Sequence, residues 1–188
     1  LRPTSLGEVI WREDRFLNEE ATQWICHLNL CRRDRGGDLW YQVFGEGRRV
    51  LGMEFGEDQL ERFVKQACGE RSRSPLGPLR TMYSNSQSFP INAIQWKGDG
   101  RVQRRSAPLE EVFAPVYGAW FIDMSEAFFS GRGQVSLDEF SEETLWREIA
   151  GWTDSGAELA IRWLQDRGLL DVDRQMSPWV IRPQCRTA

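Results

Sequence analysis

The chain has 188 residues, of which 40% are apolar and 28% are charged, and its formal net charge is −4. This composition indicates a globular protein of one sizeable domain or two small ones, and it excludes a generally basic nucleic-acid binder, although not a local basic patch. The sequence shows no apolar run of the ~20 residues that a membrane span needs, and no basic-then-apolar signal segment opens it.

The cysteines and tryptophans indicate a reducing compartment and a core rich in aromatic area. The four Cys residues, at positions 26, 31, 68 and 185, are widely and unevenly spaced, unlike the framework of a secreted disulfide-rich domain. We therefore expect a cytoplasmic protein. Nine Trp residues are many for this length. Any Trp that stays exposed should mark an interface, because Trp and Arg are enriched at interface hot spots.

The N-terminal third shows the alternation that is typical of strands. Over residues 22–31 the side chains of Trp24, Cys26, Leu28 and Leu30 alternate with those of Ile25, His27, Asn29 and Cys31. This period of two predicts one strand. Residues 38–55 predict two further strands, joined by a hairpin turn at Gly45–Gly47.

A helix and a second hairpin follow. Residues 57–69 predict an amphipathic helix that ends at Gly69, because Leu60, Phe63, Val64 and Ala67 recur at i, i+3, i+4 and i+7. Residues 70–90 are rich in Ser, Pro, Gly and Arg, which predicts a long loop. Residues 91–106 predict a hairpin that turns at Gly98–Gly100.

The C-terminal part has a clearer plan. Residues 108–131 predict a helix that is broken near Pro115, and residues 133–140 predict a short strand. Two helices follow, at 141–151 and from 155 to Gly168, and we expect Ser141 and Ser155 to cap them, with Glu158 completing a capping box at the second. Strands at 169–173 and 178–182 complete the order.

This order resembles the winged helix-turn-helix family over residues 118–183. The resemblance implies that the helix beginning at Ser155 enters the DNA major groove, with Arg162 and Gln165 contacting base edges. Arg174 and Arg182 flank the wing, and no acid follows Asp173, so the wing alone could contact a phosphate; the alternative is that both arginines are ordinary solvated surface residues.

The charge of this module favours a different use. Acidic residues outnumber basic ones over residues 118–188, and Glu158 and Asp166 share the exposed side of the second helix with Arg162. Carboxylates repel phosphates, where Lys and Arg normally supply the affinity. We therefore favour protein contact or dimerisation, and DNA contact stays open as the alternative.

Positive charge is concentrated between residues 70 and 105. Aromatic residues Tyr83, Phe89 and Trp96 are interleaved with it, and this combination suits nucleic-acid binding, since arginines hold phosphates and rings stack on bases. The alternative is that these arginines pair with the acidic C-terminal module. The candidate contacts of this segment are Arg71, Arg73, Arg80, Lys97, Arg101, Arg104 and Arg105.

Metal and catalytic sites are disfavoured. Cys26, His27 and Cys31 suggest zinc, with Cys68 or Cys185 as a fourth ligand, but strand alternation would place Cys26 opposite the other two. His27 is the only histidine, and its neighbours offer no catalytic partner. Glu54, Glu57 and Asp58 cluster after a strand and suggest a nuclease-like carboxylate set, but the start of a helix explains Glu57 and Asp58 more simply. We expect no metal, no cofactor and no enzymatic activity.

These observations predict an α+β chain in two parts. Residues 1–117 would form an antiparallel sheet with one packed helix and a basic loop-hairpin at 70–105, and residues 118–188 a winged-helix-like domain. The leading hypothesis is a non-enzymatic accessory or adaptor subunit of a larger complex. Its winged helix would contact protein, and its basic segment DNA, RNA or an acidic partner. The alternatives are a dimeric winged-helix transcriptional regulator and a small enzyme built on the N-terminal sheet.

Overall fold

Helices account for 60% of the structure and antiparallel sheets for 12%, which confirms an α+β fold. The structure is a computed structural model that describes residues 5–69, 75–84, 90–175 and 177–184. Its helices are α1 (Ser5–Glu13), α2 (Glu20–Leu30), α3 (Asp38–Trp40), a π-helical segment (Tyr41–Glu46), α4 (Gly47–Leu51), α5 (Glu57–Cys68), α6 (Gly77–Tyr83), α7 (Ala114–Phe129), α8 (Leu137–Thr144), α9 (Trp146–Ala150) and α10 (Asp154–Asp166). Its strands are β1 (Glu54–Gly56), β2 (Ile94–Trp96), β3 (Arg101–Arg104), β4 (Val135–Ser136), β5 (Leu170–Asp173) and β6 (Val180–Pro183).

The strand predicted over residues 22–31 is wrong, because this segment forms α2. Trp24, Leu28 and Cys31 are all 0% exposed, and their spacing of i, i+4 and i+7 places them on one side of a helix. A strand would have turned Cys31 away from the other two. Trp24 and Leu28 share a face in both conformations, so a short apolar run fits either period.

The first predicted hairpin is also wrong, because residues 38–51 are helical throughout, with a π-helical segment at their centre. The glycines at 45 and 47 serve close packing rather than a turn. A methyl group at Gly47 would come within 2.8 Å of the carbonyl oxygen of Gln42 and 3.1 Å of the Phe63 ring. The N-terminal third is therefore largely helical, and β1 is its one described strand.

The helix and the second hairpin are confirmed. The apolar side of α5 buries Leu60 and Val64. Strands β2 and β3 pair antiparallel around the turn at Gly98–Gly100. Strand β1 adds to the other edge of β3 and completes a sheet of order β1–β3–β2. The segment that was predicted as a loop contains α6.

The C-terminal elements follow in the predicted order of helix, strand, helices and two strands. Strands β4, β5 and β6 form a second antiparallel sheet of order β4–β6–β5. Pro115 stands in the first turn of α7 and does not break it, because proline lacks only an N–H that is unpaired there in any helix. The winged-helix arrangement itself stays a prediction.

Both predicted helix caps are displaced towards the N-terminus. Ser136, rather than Ser141, caps α8 by accepting a hydrogen bond from the Glu139 amide at 3.1 Å. Thr153, rather than Ser155, caps α10 by accepting from the Gly156 amide at 3.2 Å. In each case the sequence contains two hydroxyl residues that can cap the helix, and the one nearer the N-terminus does so. The residue type alone does not decide which of the two is the N-cap.

One hydrophobic cluster joins the elements on both sides of residue 117. It includes Trp24 and Phe44 from the N-terminal part and Phe140, Trp146 and Ile181 from the C-terminal part. Helix α2 packs on α7, and the π-helical segment packs on α9. The division into parts at residue 117 stays a prediction.

Candidate interaction surfaces

The basic segment does not present one continuous positive surface in the described residues. Arg71 and Arg73 lie outside those residues. Arg80 of α6 forms an ion pair with Glu57 and lies 5.4 Å from the centre of the Trp96 ring. Lys97, at the hairpin turn, is exposed and hydrogen-bonds to Gln95 at 3.0 Å.

Two further arginines of the segment are held by carboxylates. Arg101 donates to Asp99 at 2.6 Å, and Arg105 donates to Glu20 at 3.0 Å. Both acids, like Glu57, precede residue 118, so the expectation that these arginines pair with the C-terminal module is wrong. Each pair is largely solvent-exposed and leaves little net positive charge on the hairpin.

Arg104 is directed inwards, and the expectation that it lies on the surface is wrong. The residue is 4% exposed, and its guanidinium donates to the carbonyl oxygens of Val43, Gly47 and Gly52. Its charge lies 4.5 Å from the centre of the Phe55 ring. Burial lowers the pKa of Arg104 to about 9. The side chain joins β3 to the helical segment at 38–51.

A different set of arginines connects the N-terminal part with the acidic C-terminal module. Arg32 is completely buried and pairs with Asp123 of α7, which Arg35 also contacts at 2.5 Å. Arg33 pairs with Glu143 at 2.6 Å, and Arg49 pairs with Glu148 at 2.9 Å. The sequence pattern did not predict this set, although the run of charges at residues 32–35 was a signal for three of its four arginines.

The four candidate contacts in the C-terminal module differ in availability. Arg162 and Arg174 are exposed, and Arg174 lies 4.9 Å from the centre of the Trp179 ring. Gln165 is half-buried. Arg182 is held within the sheet, because it donates to Asp171 at 3.1 Å and to Gln134 at 3.2 Å.

The outward side of α10 is acidic. Ser155, Glu158, Arg162 and Asp166 are exposed there, and their spacing places them on one side of the helix. The opposite side buries Ala157, Ala160, Ile161 and Leu164. The buried stripe is therefore as predicted, and it leaves two carboxylates and one guanidinium facing outwards.

An apolar patch lies along one edge of α10. Leu109 is 38% and Val112 is 74% exposed. Gly156 packs so closely on Leu109 that an added methyl group would come 2.7 Å from it, and Arg167 donates to Glu111 at 3.0 Å. Half-buried Leu159 and Trp163 lie between these two contacts on the same side of the helix. We call Leu109, Val112, Leu159 and Trp163 the α10 patch.

Trp11 is the tryptophan that the fold leaves most accessible, at 68% exposure. It lies on α1 near Phe16, which is 72% exposed, and Val9, which is 50% exposed. The composition predicts that an exposed tryptophan marks an interface, but it does not identify Trp11 as that residue. Its signal was a large aromatic residue among the charges of residues 8–15.

The sequence candidates for metal binding and catalysis lie apart or in the core. His27 is 1% exposed, its Nδ1 lies 2.7 Å from the Tyr83 hydroxyl, and burial lowers the pKa of His27 to about 3. Cys31 contacts the same ring at 3.7 Å, and burial raises the pKa of its thiol. Among the described residues, no group of His, Cys, Asp or Glu has the arrangement to hold a metal ion. Cys185 lies outside them.

The three carboxylates that suggested a nuclease are engaged separately. Glu54 accepts from Gln103 at 2.9 Å, Glu57 pairs with Arg80, and Asp58 pairs with Arg62 at 3.0 Å.

Comparisons with protein-family models, with curated proteins and with solved structures found no match. In the described part of the chain, no helix combines the length and apolar character that crossing a membrane requires.

Proposed function

We propose that this chain is a non-enzymatic accessory or adaptor subunit whose winged-helix-like module binds protein. The observation that carries the proposal is the surface of α10, where the outward carboxylates Glu158 and Asp166 adjoin the α10 patch. An exposed apolar patch with a charged rim is the usual composition of a protein contact site.

Nucleic-acid contact is the weaker use of the same surface. A protein gains affinity for a nucleic acid by placing Lys and Arg against phosphates, whereas α10 presents Arg162 between two carboxylates. The described arginines of the basic hairpin add little, because Arg101 and Arg105 are ion-paired and Arg104 is buried.

The charges of this surface specify the chemistry of the partner. The acidic side of α10 complements a partner with basic side chains around an apolar centre. Such a partner would be another subunit of a nucleic-acid-associated complex, one that uses basic side chains to contact phosphates. We retain the cytoplasmic location as part of the proposal, which the free thiols of Cys26, Cys31 and Cys68 support.

A dimeric winged-helix regulator of transcription is the second candidate. The observation that favours it is the succession of α7, β4, α8 with α9, α10, β5 and β6, with the sheet order β4–β6–β5. In that arrangement α10 would be the groove-binding helix. Arg162 and Arg174 would have to supply its contacts.

The test compares two valines of similar exposure. A photo-crosslinking amino acid is placed at Val112, in the α10 patch, or at Val50 of α4, which is 68% exposed and lies outside the patch. After irradiation of the cells that produce the protein, we expect the crosslinker at position 112 to form one discrete protein adduct and the crosslinker at position 50 to form none. The adduct should disappear when Trp163→Ala is added.

Fluorescence anisotropy with labelled DNA and RNA across salt separates the two candidates. We expect no binding near physiological salt by the wild type. Salt-sensitive binding that Arg162→Ala and Arg174→Ala abolish, together with the absence of a position-specific adduct, would overturn the proposal in favour of the regulator.

A further inference from the structure

The outer side of α1 and the turn that follows it form an aromatic surface that the fold leaves uncovered. Leu6 and Ile10 on its inner side pack against the core, whereas Val9, Trp11 and Phe16 are at least half exposed. Isolated exposed apolar residues are ordinary, but two large aromatic rings within six residues form a patch.

The two rings are held together by an arginine. The Arg15 guanidinium lies 5.2 Å from the centre of the Trp11 ring and 4.8 Å from that of Phe16. Such cation–π contacts order the long arginine side chain at the surface. A preformed arrangement of Trp, Arg and Phe loses less conformational entropy on binding than mobile side chains would.

The charges of this surface have no oppositely charged partner within the described residues. None of the ion pairs there includes Glu8, Arg12 or Arg15, whereas the arginines that follow α2 are bound by carboxylates of the same chain. Glu8, Trp11 and Arg12 recur at i, i+3 and i+4 on the outer side of α1. Arg15, in the turn that follows the helix, extends the same stripe because its guanidinium lies 5.2 Å from the centre of the Trp11 ring. We call this stripe, with Val9 and Phe16 at its edge, the α1 face.

We propose that the α1 face binds a second copy of this chain. The stripe is complementary to itself when two α1 helices lie antiparallel about a two-fold axis between Trp11 and Arg12. Glu8 then lies opposite the partner's Arg15, and Trp11 lies opposite the partner's Arg12. A two-fold contact repeats each pairing, so one stripe supplies two ion pairs and two cation–π contacts.

The available area predicts a weak dimer. Each aromatic side chain buries about 150–250 Å² when fully covered, so two copies of Trp11 and Phe16 at their observed exposure contribute roughly 500 Å². With the neighbouring side chains the contact approaches the ~1,000 Å² at the lower end of specific interfaces. We therefore expect a dissociation constant in the range of about 1–100 μM.

The inference does not depend on the proposed function, because the α1 face and the α10 patch share no residue. A different protein or a nucleic acid on the α1 face would be an alternative occupant. The two alternatives differ from self-association in one respect that can be measured: only self-association requires Glu8 and Arg15 to complement each other across two copies.

The experiment is sedimentation velocity over a concentration series, with two charge reversals mixed together. Glu8→Arg and Arg15→Glu should each weaken self-association at least ~10-fold, because like charges then face each other in the homodimer. An equimolar mixture of the two variants should dimerise at wild-type concentrations, because each reversed charge then faces its opposite. Glu13→Arg, which changes the net charge equally at a position beside the stripe, should dimerise as the wild type does.

Several outcomes would overturn the proposal. A wild type that stays monomeric to several times the highest expected dissociation constant would do so. So would single variants that dimerise normally, or a mixture that stays monomeric while both variants keep the wild-type circular dichroism spectrum. Labelled nucleic acid or another protein that binds the α1 face of the monomer would identify the other occupant.

Discussion

Replacing Arg104 tests whether this residue belongs to the core or to a surface. Arg104→Ala removes the donor to the carbonyl oxygens of Val43 and Gly52, and the longer 3.3 Å contact to Gly47. Leaving a buried acceptor without a donor costs about 1–3 kcal/mol. Two such carbonyls and the cavity under Phe55 give an expected loss of roughly 3–5 kcal/mol in the free energy of unfolding.

The exposed neighbours provide matched controls. Arg101→Ala and Arg105→Ala each remove one solvent-exposed ion pair, which is worth about 0–1 kcal/mol. Arg104→Lys keeps the positive charge but cannot reach all three carbonyls, so we expect it to lose an intermediate amount of stability. Arg104→Met keeps much of the side-chain volume but cannot donate hydrogen bonds, so its loss of stability measures the contribution of the hydrogen bonds apart from that of packing.

Urea unfolding followed by tryptophan fluorescence measures these differences. Arg104→Ala should unfold at a clearly lower urea concentration than either control. If all three alanine variants unfolded within experimental error of one another, Arg104 would not be a buried cross-link. A loss of nucleic-acid binding without a loss of stability in Arg104→Ala would restore it to the surface.

Two further predictions concern acid stability and helix capping. Burial lowers the pKa of His27 from 6.5 to about 3, so between these pH values the unfolded chain binds a proton at this residue and the folded chain does not. The free energy of unfolding should therefore fall by up to ~1.4 kcal/mol per pH unit as the pH drops through this window. His27→Gln should show a shallower dependence in urea titrations at several pH values, and parallel curves would contradict the assignment. Thr153→Ala should cost ~1 kcal/mol by removing the hydrogen bond to the Gly156 amide, whereas Ser155→Ala should be nearly neutral. Equal losses in thermal unfolding of the two variants would show that Ser155 shares the capping role.

The sequence predicted secondary structure correctly where its apolar pattern fitted either the helical or the strand period but not both. The stripe in α5 recurs over two helical turns, and the hairpin β2–β3 carries a glycine-rich turn. It failed where an apolar run was short, because Trp24 and Leu28 lie on the same side of a strand and of a helix. The glycines at 45 and 47 misled for a different reason. A methyl group added at Gly45 would come 3.2 Å from Leu145, and one added at Gly47 would come 3.1 Å from Phe63, so both glycines serve contacts with residues that are distant in the sequence.

Sequence pattern was also insufficient to identify the candidate surfaces, because it does not show which charges are paired in the fold. A count along the sequence correctly located positive charge at 70–105 and negative charge after 118, but it could not say which charges remain available. In the fold Arg80, Arg101 and Arg105 pair with acids that precede residue 118, and Arg104 turns inwards. The residues 32–49 instead supply the arginines that meet the acidic module. Binding requires charge that the fold has left unpaired, and this criterion directs attention to α1 and α10, which a count of basic residues would not have selected.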